Sequence, residues 1–117
     1  MYAKLYSATV SGIDGYIVEV EVDLSNGLPQ FDIVGLPDSA VRESRDRVRA
    51  AIKNSGNQFP MLRITTNLAP ADMKKEGSGF DLAISLGILL ASEQLQTEQL
   101  QKMMLLGELS LEGVLRP

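Results

Sequence analysis

A short charged and glycine-containing stretch carries the residue types most suited to chemistry in this chain. It comprises Lys74, Lys75, Glu76, Gly77, Ser78 and Gly79. Ser78 and Asp81 have the spacing of a capping box, in which side chains satisfy backbone N–H groups at the start of a helix. We therefore expect a helix to begin close to Ser78. Exposed N–H groups at that helix end, together with two lysines, would hold an anion or a reacting group.

Ser78 is the candidate nucleophile of this stretch. A helix N-terminus stabilises a developing oxyanion, but a serine–lysine dyad requires Lys74 or Lys75 to be held against the hydroxyl group. An ordinary capping role for Ser78 is the more common outcome. The stretch also lacks the G-x-x-x-x-G-K-[ST] pattern of a P-loop. We therefore assign no catalytic, cofactor-binding or metal-binding residue, and expect that this chain is not itself an enzyme.

Composition excludes several classes of site. The 117 residues include no cysteine and no histidine, which excludes disulfides, thiolate nucleophiles, histidine bases and the usual zinc sites. The formal net charge is −4, so nucleic-acid binding would need a local basic patch. The N-terminus lacks the apolar core of a signal peptide, and no apolar segment is long enough to span a membrane. The simplest interpretation is a cytoplasmic protein without membrane contact.

The hydrophobic pattern predicts the elements that position these residues. Strands are expected at residues 3–11, 15–24, 30–35, 61–67 and 103–110, the first two forming a hairpin. Glu19, Glu21 and Asp23 alternate with valines and are interpreted as a solvated face rather than a metal site. Helices are expected at residues 38–55 and, apolar on nearly every side and hence buried, from about 78 to 91. Residues 94–101 form a polar connector with a short helix. The predicted class is α/β (α+β), a mixed β-sheet with two main helices.

The first of these helices carries a row of basic residues. Arg42, Arg45, Arg49 and Lys53 share one side, next to an apolar side formed by Val41, Ser44, Val48 and Ile52. Together with Lys74 and Lys75, this row could give salt-sensitive affinity for DNA phosphates. Acidic residues are interspersed among the arginines, and a mixed-charge solvent face is the more common outcome. Both interpretations stay open at this point.

The last eleven residues predict a strand, a tight turn and the opening of a return strand. A hairpin that stops so soon after its turn suggests a piece of a longer protein. In that case the fragment would leave strand edges and apolar surface uncovered. We therefore expect it to self-associate.

Three strings, in order, give the chain a specific resemblance. They are VGLPDSAVRES at residues 34–44, NLAPAD followed by KEGSGFDLAI within residues 67–84, and GELSLEGVLRP at residues 107–117. Together they resemble the N-terminal domain of the magnesium-chelatase-like AAA+ ATPases, the ComM/YifB group. The resemblance implies a domain spanning 1–117, C-terminally truncated, that precedes an AAA+ module binding ATP and Mg²⁺. It further implies a fold similar to the Lon proteolytic domain and to domain 2 of ribosomal protein S5.

The function implied by this resemblance is a non-catalytic accessory module. In the competence branch the AAA+ module is a DNA helicase, so the implied partners are this module, neighbouring subunits and DNA. Aligned with the Lon motif on Gly77, the position of the nucleophilic serine is occupied by Gly79, and Ser78 matches a proline. The Lon lysine would lie past residue 117. A degenerate Lon-like peptidase and a stand-alone S5-like RNA-binding domain are the alternatives.

Overall fold

The computed structural model describes residues 1–11, 14–70, 75 and 79–116 of the chain. The strands in this part are β1 Tyr2–Ser11, β2 Asp14–Ser25, β3 Gln30–Val34, β4 Arg63–Ala69, β5 Glu108–Leu109 and β6 Leu115–Arg116. The α-helices are α1 Asp38–Asn54 and α2 Asp81–Ala91, and a 3₁₀ helix spans Gln99–Lys102.

Strands β1 to β4 form one mixed sheet in the order β1-β2-β4-β3. The β1/β2 and β2/β4 pairs are antiparallel, whereas β3 and β4 are parallel because α1 crosses between them. Strands β5 and β6 form a separate antiparallel hairpin. The predicted fold class, an α+β domain with a mixed sheet and two main helices, is confirmed.

The two faces of the sheet follow from strand alternation. Val18, Val20 and Val22 on β2 are fully buried against the helices, whereas Glu19 and Glu21 lie on the open face, as predicted. No group of three or more acidic side chains in the described ranges is arranged to hold a metal ion. Glu19 and Glu21 are partly exposed and Asp23 is exposed, so the acidic row lies on a solvent-facing side of the sheet.

Hydrogen bonds on the open face give Glu21 a specific environment. Its carboxylate accepts a hydrogen bond from the Tyr2 hydroxyl group at 2.8 Å and one from the Asn67 amide group at 3.2 Å. These bonds lower the pKa of Glu21, although slight burial acts in the opposite direction. The same bond to Glu21 raises the pKa of Tyr2. This corner of the open face is therefore a small ordered polar network.

Both helices cover the other face of the sheet. Helix α1 buries Ser44, Val48 and Ile52, three of the four residues predicted for its apolar side. Helix α2 packs on β1 and β2, and Gly87 allows the close approach, since a Cβ atom there would lie 2.7 Å from Val22 Cγ2. No helix in the described part of the chain is long and apolar enough to cross a membrane.

Two sequence predictions need correction. Helix α2 begins at Asp81, not close to Ser78, and its N-cap residue is Phe80. The strand predicted at residues 103–110 is reduced to β5 and a single parallel bridge between Met104 and Tyr6. The Leu105 N–H donates to the Tyr6 carbonyl at 2.8 Å, so the segment touches the β1 edge and then leaves it. An apolar run in the sequence predicts that a segment is buried, but it does not predict which strand the segment pairs with or over how many residues.

Candidate functional site

A buried carboxylate lies where the two helices meet the β5–β6 hairpin. Asp81, the first residue of α2, is fully buried. Its Oδ1 accepts hydrogen bonds from Ser44 Oγ at 2.9 Å and Arg47 Nη2 at 3.3 Å. Its Oδ2 accepts from Arg47 Nε at 2.6 Å and from the Leu109 N–H at 3.3 Å. One side chain thus joins α1, α2 and β5.

The charge of Asp81 is balanced by Arg47. The two form a fork-shaped ion pair in which Arg47 is 21% exposed and Asp81 is 1% exposed. The hydrogen bond to Asp81 raises the pKa of Arg47, while partial burial opposes that shift. A buried carboxylate is tolerated only when donors surround it. The arrangement is therefore a structural anchor, with both carboxylate oxygens fully engaged.

The backbone at the start of α2 is also engaged. The Leu82 N–H donates to the Gly107 carbonyl at 3.1 Å, and the Gly107 N–H donates to the Gly79 carbonyl at 2.9 Å. The expected anion site requires N–H groups that are free at this helix end. Here one is occupied by Gly107, and the negative charge favoured by the helix dipole is already supplied by Asp81. The anion site itself stays a prediction, because most of its loop lies outside the described residues.

Much of the predicted loop motif lies outside the described residues, including Lys74, Glu76, Gly77 and Ser78. Lys75 is described and is 1% exposed, and its Nζ donates to the Pro70 carbonyl at 2.5 Å. An ammonium group buried in this way does not face a surface ligand. Gly79 is partly buried, and a Cβ atom there would lie 3.2 Å from Leu106 Cδ1.

The basic row of α1 divides into engaged and exposed members. Arg45 Nη1 donates to the Phe31 carbonyl at 3.2 Å, and the Arg49 guanidinium group lies 5.3 Å from the centre of the Phe59 ring. Arg42 and Lys53 are exposed. The structure therefore places the row along one side of α1, but it does not bring Lys75 to that surface.

Sequence reasoning missed Arg47 and the contacts of Asp81. It included Asp81 in a capping motif and left Arg47 outside the basic row. A usable signal was present, because a carboxylate at the start of an apolar helix must be buried with a cationic partner. Five basic residues on α1 would satisfy that rule equally well in sequence. Only the packing of α1 on α2 selects Arg47.

Comparison with known proteins places the chain in a family. Residues 20–117 match the family described as subunit ChlI of Mg-chelatase. The chain belongs to this magnesium-chelatase-like family. It is 49% identical over 114 residues to the competence protein ComM of Haemophilus influenzae. The matched region covers 97% of this chain and 22% of ComM.

Further relatives extend the same pattern. The chain is 48% identical over 112 residues to Escherichia coli YifB, covering 96% of this chain and 22% of YifB. It is 50% identical over 114 residues to an uncharacterized Mycobacterium tuberculosis protein, covering 97% and 23% of the two chains. The predicted membership of the ComM/YifB group is confirmed. The magnesium-chelatase-like domain described here spans less than a quarter of the length of these relatives.

Proposed function

We propose that this chain is a non-catalytic accessory module of a magnesium-chelatase-like AAA+ ATPase and takes part in DNA handling. The carrying observation is the match to ComM, whose name describes a competence protein, over 97% of this chain. In this proposal, ATP and Mg²⁺ are bound by a separate module of the parent protein. The domain contributes through DNA guidance, contacts with neighbouring subunits, or both.

The basic side of α1 supports DNA guidance. Arg42 and Lys53 present charged groups to solvent, and Arg49 lies beside them on the same side of the helix. Acidic residues outnumber basic ones in the chain, 15 to 11. Affinity for phosphates would therefore come from this local surface and would fall as salt rises.

An apolar surface supports contacts between subunits, and also the expected self-association of the isolated chain. Exposed side chains on and beside the β5–β6 hairpin include Leu106, Leu111, Val114 and Leu115, each more than half exposed. They adjoin an apolar groove of about 150 Å³ between α1 and α2, which is lined in part by Leu109. Clusters of this kind on soluble domains commonly mark interaction sites.

The test uses the parent protein with and without this domain. We expect the variant lacking residues 1–117 to retain basal ATP hydrolysis and to lose most of its stimulation by DNA. The parent protein carrying Arg42→Ala should lose part of that stimulation, while Lys102→Ala, another exposed basic residue, should not. DNA stimulation that is unchanged in the deletion variant would overturn the DNA-handling role.

A further inference from the structure

A shallow groove runs between the end of α1 and the start of β3, and we call it the α1–β3 groove. It has a volume of about 150 Å³. The residues that line it are Pro29, Gln30, Phe31, Arg49, Lys53, Phe59, Pro60, Met61 and Leu62. Two of these carry positive charge and none is acidic. The groove therefore combines a cationic side with an apolar floor, on a chain whose net charge is negative.

The cationic side of the groove is held in place by packing. The Arg49 guanidinium group lies over Phe59, whose ring centre is 5.5 Å from that of buried Phe31. A cation–π contact of this kind restrains a guanidinium group and leaves N–H donors able to contact phosphate. Lys53, one turn further along α1 and exposed, adds a second positive charge. Two cations on one rim give the groove two positive charges that can contact backbone phosphates.

The apolar floor distinguishes single strands from duplexes. Met61 is 77% exposed beside Pro60 and Leu62, so its flexible, polarisable side chain is available to contact an apolar surface. In a duplex the faces of the bases are stacked inside the helix, so an apolar floor has nothing to contact. An unstacked base offers an apolar face, and single-strand sites combine such contacts with a cationic groove.

We propose that the α1–β3 groove binds single-stranded DNA, with phosphates on Arg49 and Lys53 and an unstacked base against Met61. The proposal deepens the proposed DNA-handling function and rests on it for the choice of DNA as the polynucleotide. It assigns a different role to each side of the groove. The Lys53 contact should depend on salt, whereas the Met61 contact should not.

The experiment measures fluorescence anisotropy of a labelled oligothymidylate of about 20 nucleotides with the 117-residue chain. Salt is varied from about 50 to about 200 mM, and the slope of log affinity against log salt is compared between variants. Lys53→Ala should lower the magnitude of this slope by about 0.7, the value for one phosphate contact on a single strand. Met61→Ser should weaken binding about threefold, the loss expected for an apolar contact, and leave the slope unchanged.

Lys102→Ala is the matched control. Lys102 is an exposed lysine in the last turn of a helix, as Lys53 is, but its helix packs against β1 at the opposite edge of the sheet. It should leave both affinity and slope unchanged. Far-UV circular dichroism checks that each variant is folded, and both test positions are exposed.

Several outcomes would overturn the groove assignment. Equal loss in Lys53→Ala and Lys102→Ala would show diffuse charge attraction, and an unchanged Met61→Ser affinity would remove the base contact. Tighter binding of a duplex, or of oligouridylate, would contradict the assignment to single-stranded DNA. Absence of any binding would also overturn it. None of these results decides the proposed function, which is judged separately by DNA-stimulated ATP hydrolysis in the parent protein.

Discussion

Replacing Asp81 with asparagine is the sharpest test of how this fold is held together. The substitution keeps the side-chain shape but removes the charge, and it turns one acceptor atom into a donor. Donors approach both oxygens of Asp81. In Asp81→Asn, the NH₂ group that replaces one of these oxygens therefore faces N–H or O–H donors instead of accepting from them. Whichever way the amide is oriented, at least two donors lose their acceptor.

The expected cost can be estimated from those lost bonds. A hydrogen bond to a charged group contributes about 1.5–3 kcal/mol, and an unsatisfied buried N–H group costs about 1–3 kcal/mol. Arg47 is 21% exposed and recovers part of its loss from water. We therefore expect Asp81→Asn to lower the free energy of unfolding by about 3 kcal/mol, a large fraction of the roughly 5–15 kcal/mol of a typical domain.

A double-mutant cycle isolates the ion pair. Arg47→Met keeps the packing of the side-chain stem but leaves the carboxylate with Ser44 and the Leu109 N–H as its described donors. The double variant should be less destabilised than the sum of the single variants, by about 1.5 kcal/mol or more. Glu43→Ala is the control, because its 3.9 Å ion pair with Arg47 is largely solvent-exposed and should contribute less than about 1 kcal/mol.

The assay is urea unfolding followed by far-UV circular dichroism, with the slope m compared between variants. Amide hydrogen exchange supplies an independent readout, since Asp81→Asn should reduce protection at Leu109, whose N–H it accepts. Two results would refute the reasoning. One is a loss below about 1 kcal/mol in Asp81→Asn, and the other is additive behaviour in the cycle.

Three further predictions concern packing, pH and activity. Gly87→Ala should destabilise the domain by about 1 kcal/mol, because the cost of overpacking against Val22 exceeds the gain in helix propensity. Gly15→Ala is the control and should leave thermal unfolding nearly unchanged, since a Cβ atom there would have no neighbour within 4 Å. The lowered pKa of Glu21 stabilises the fold above the unfolded-state value of about 4.3, and this stability is lost as pH falls through the lower folded-state pKa. Between about pH 5 and about pH 3, the free energy of unfolding from urea melts should therefore fall less in Glu21→Gln than in the unmodified chain. The isolated chain should release no phosphate from ATP and cleave no peptide, and turnover that co-purifies with it through a second column would contradict this.

Strand and helix positions were predictable where a local period decides them. Alternation placed Val18 and Val20 in the core and Glu19 on the open face, because a strand has a side-chain period of two. Helix α1 followed from the spacing of its apolar residues and ends at Asn54, one residue before the predicted end at residue 55. These features can be predicted from the local sequence alone, without knowing which segments pack against them.

Contacts between distant segments could not be predicted in the same way. The segment before β5 has the composition of a strand, yet it pairs with Tyr6 at one bridge only. The choice of Arg47 over its neighbours depends on the angle at which α1 meets α2. The same limit applies to the basic row, since sequence spacing could not show that Lys75 is buried whereas Lys53 is exposed.

The three strings that carry the family resemblance meet at a single side chain. Ser44 ends the first string, Asp81 lies in the second and Leu109 in the third, and all three are joined by hydrogen bonds at the Asp81 carboxylate. Because both oxygens are engaged and buried, these three residues serve the assembly of the two helices and the hairpin. Surface function in this domain must then depend on residues outside the anchor, which directs experiments to the α1–β3 groove and its exposed cation, Lys53.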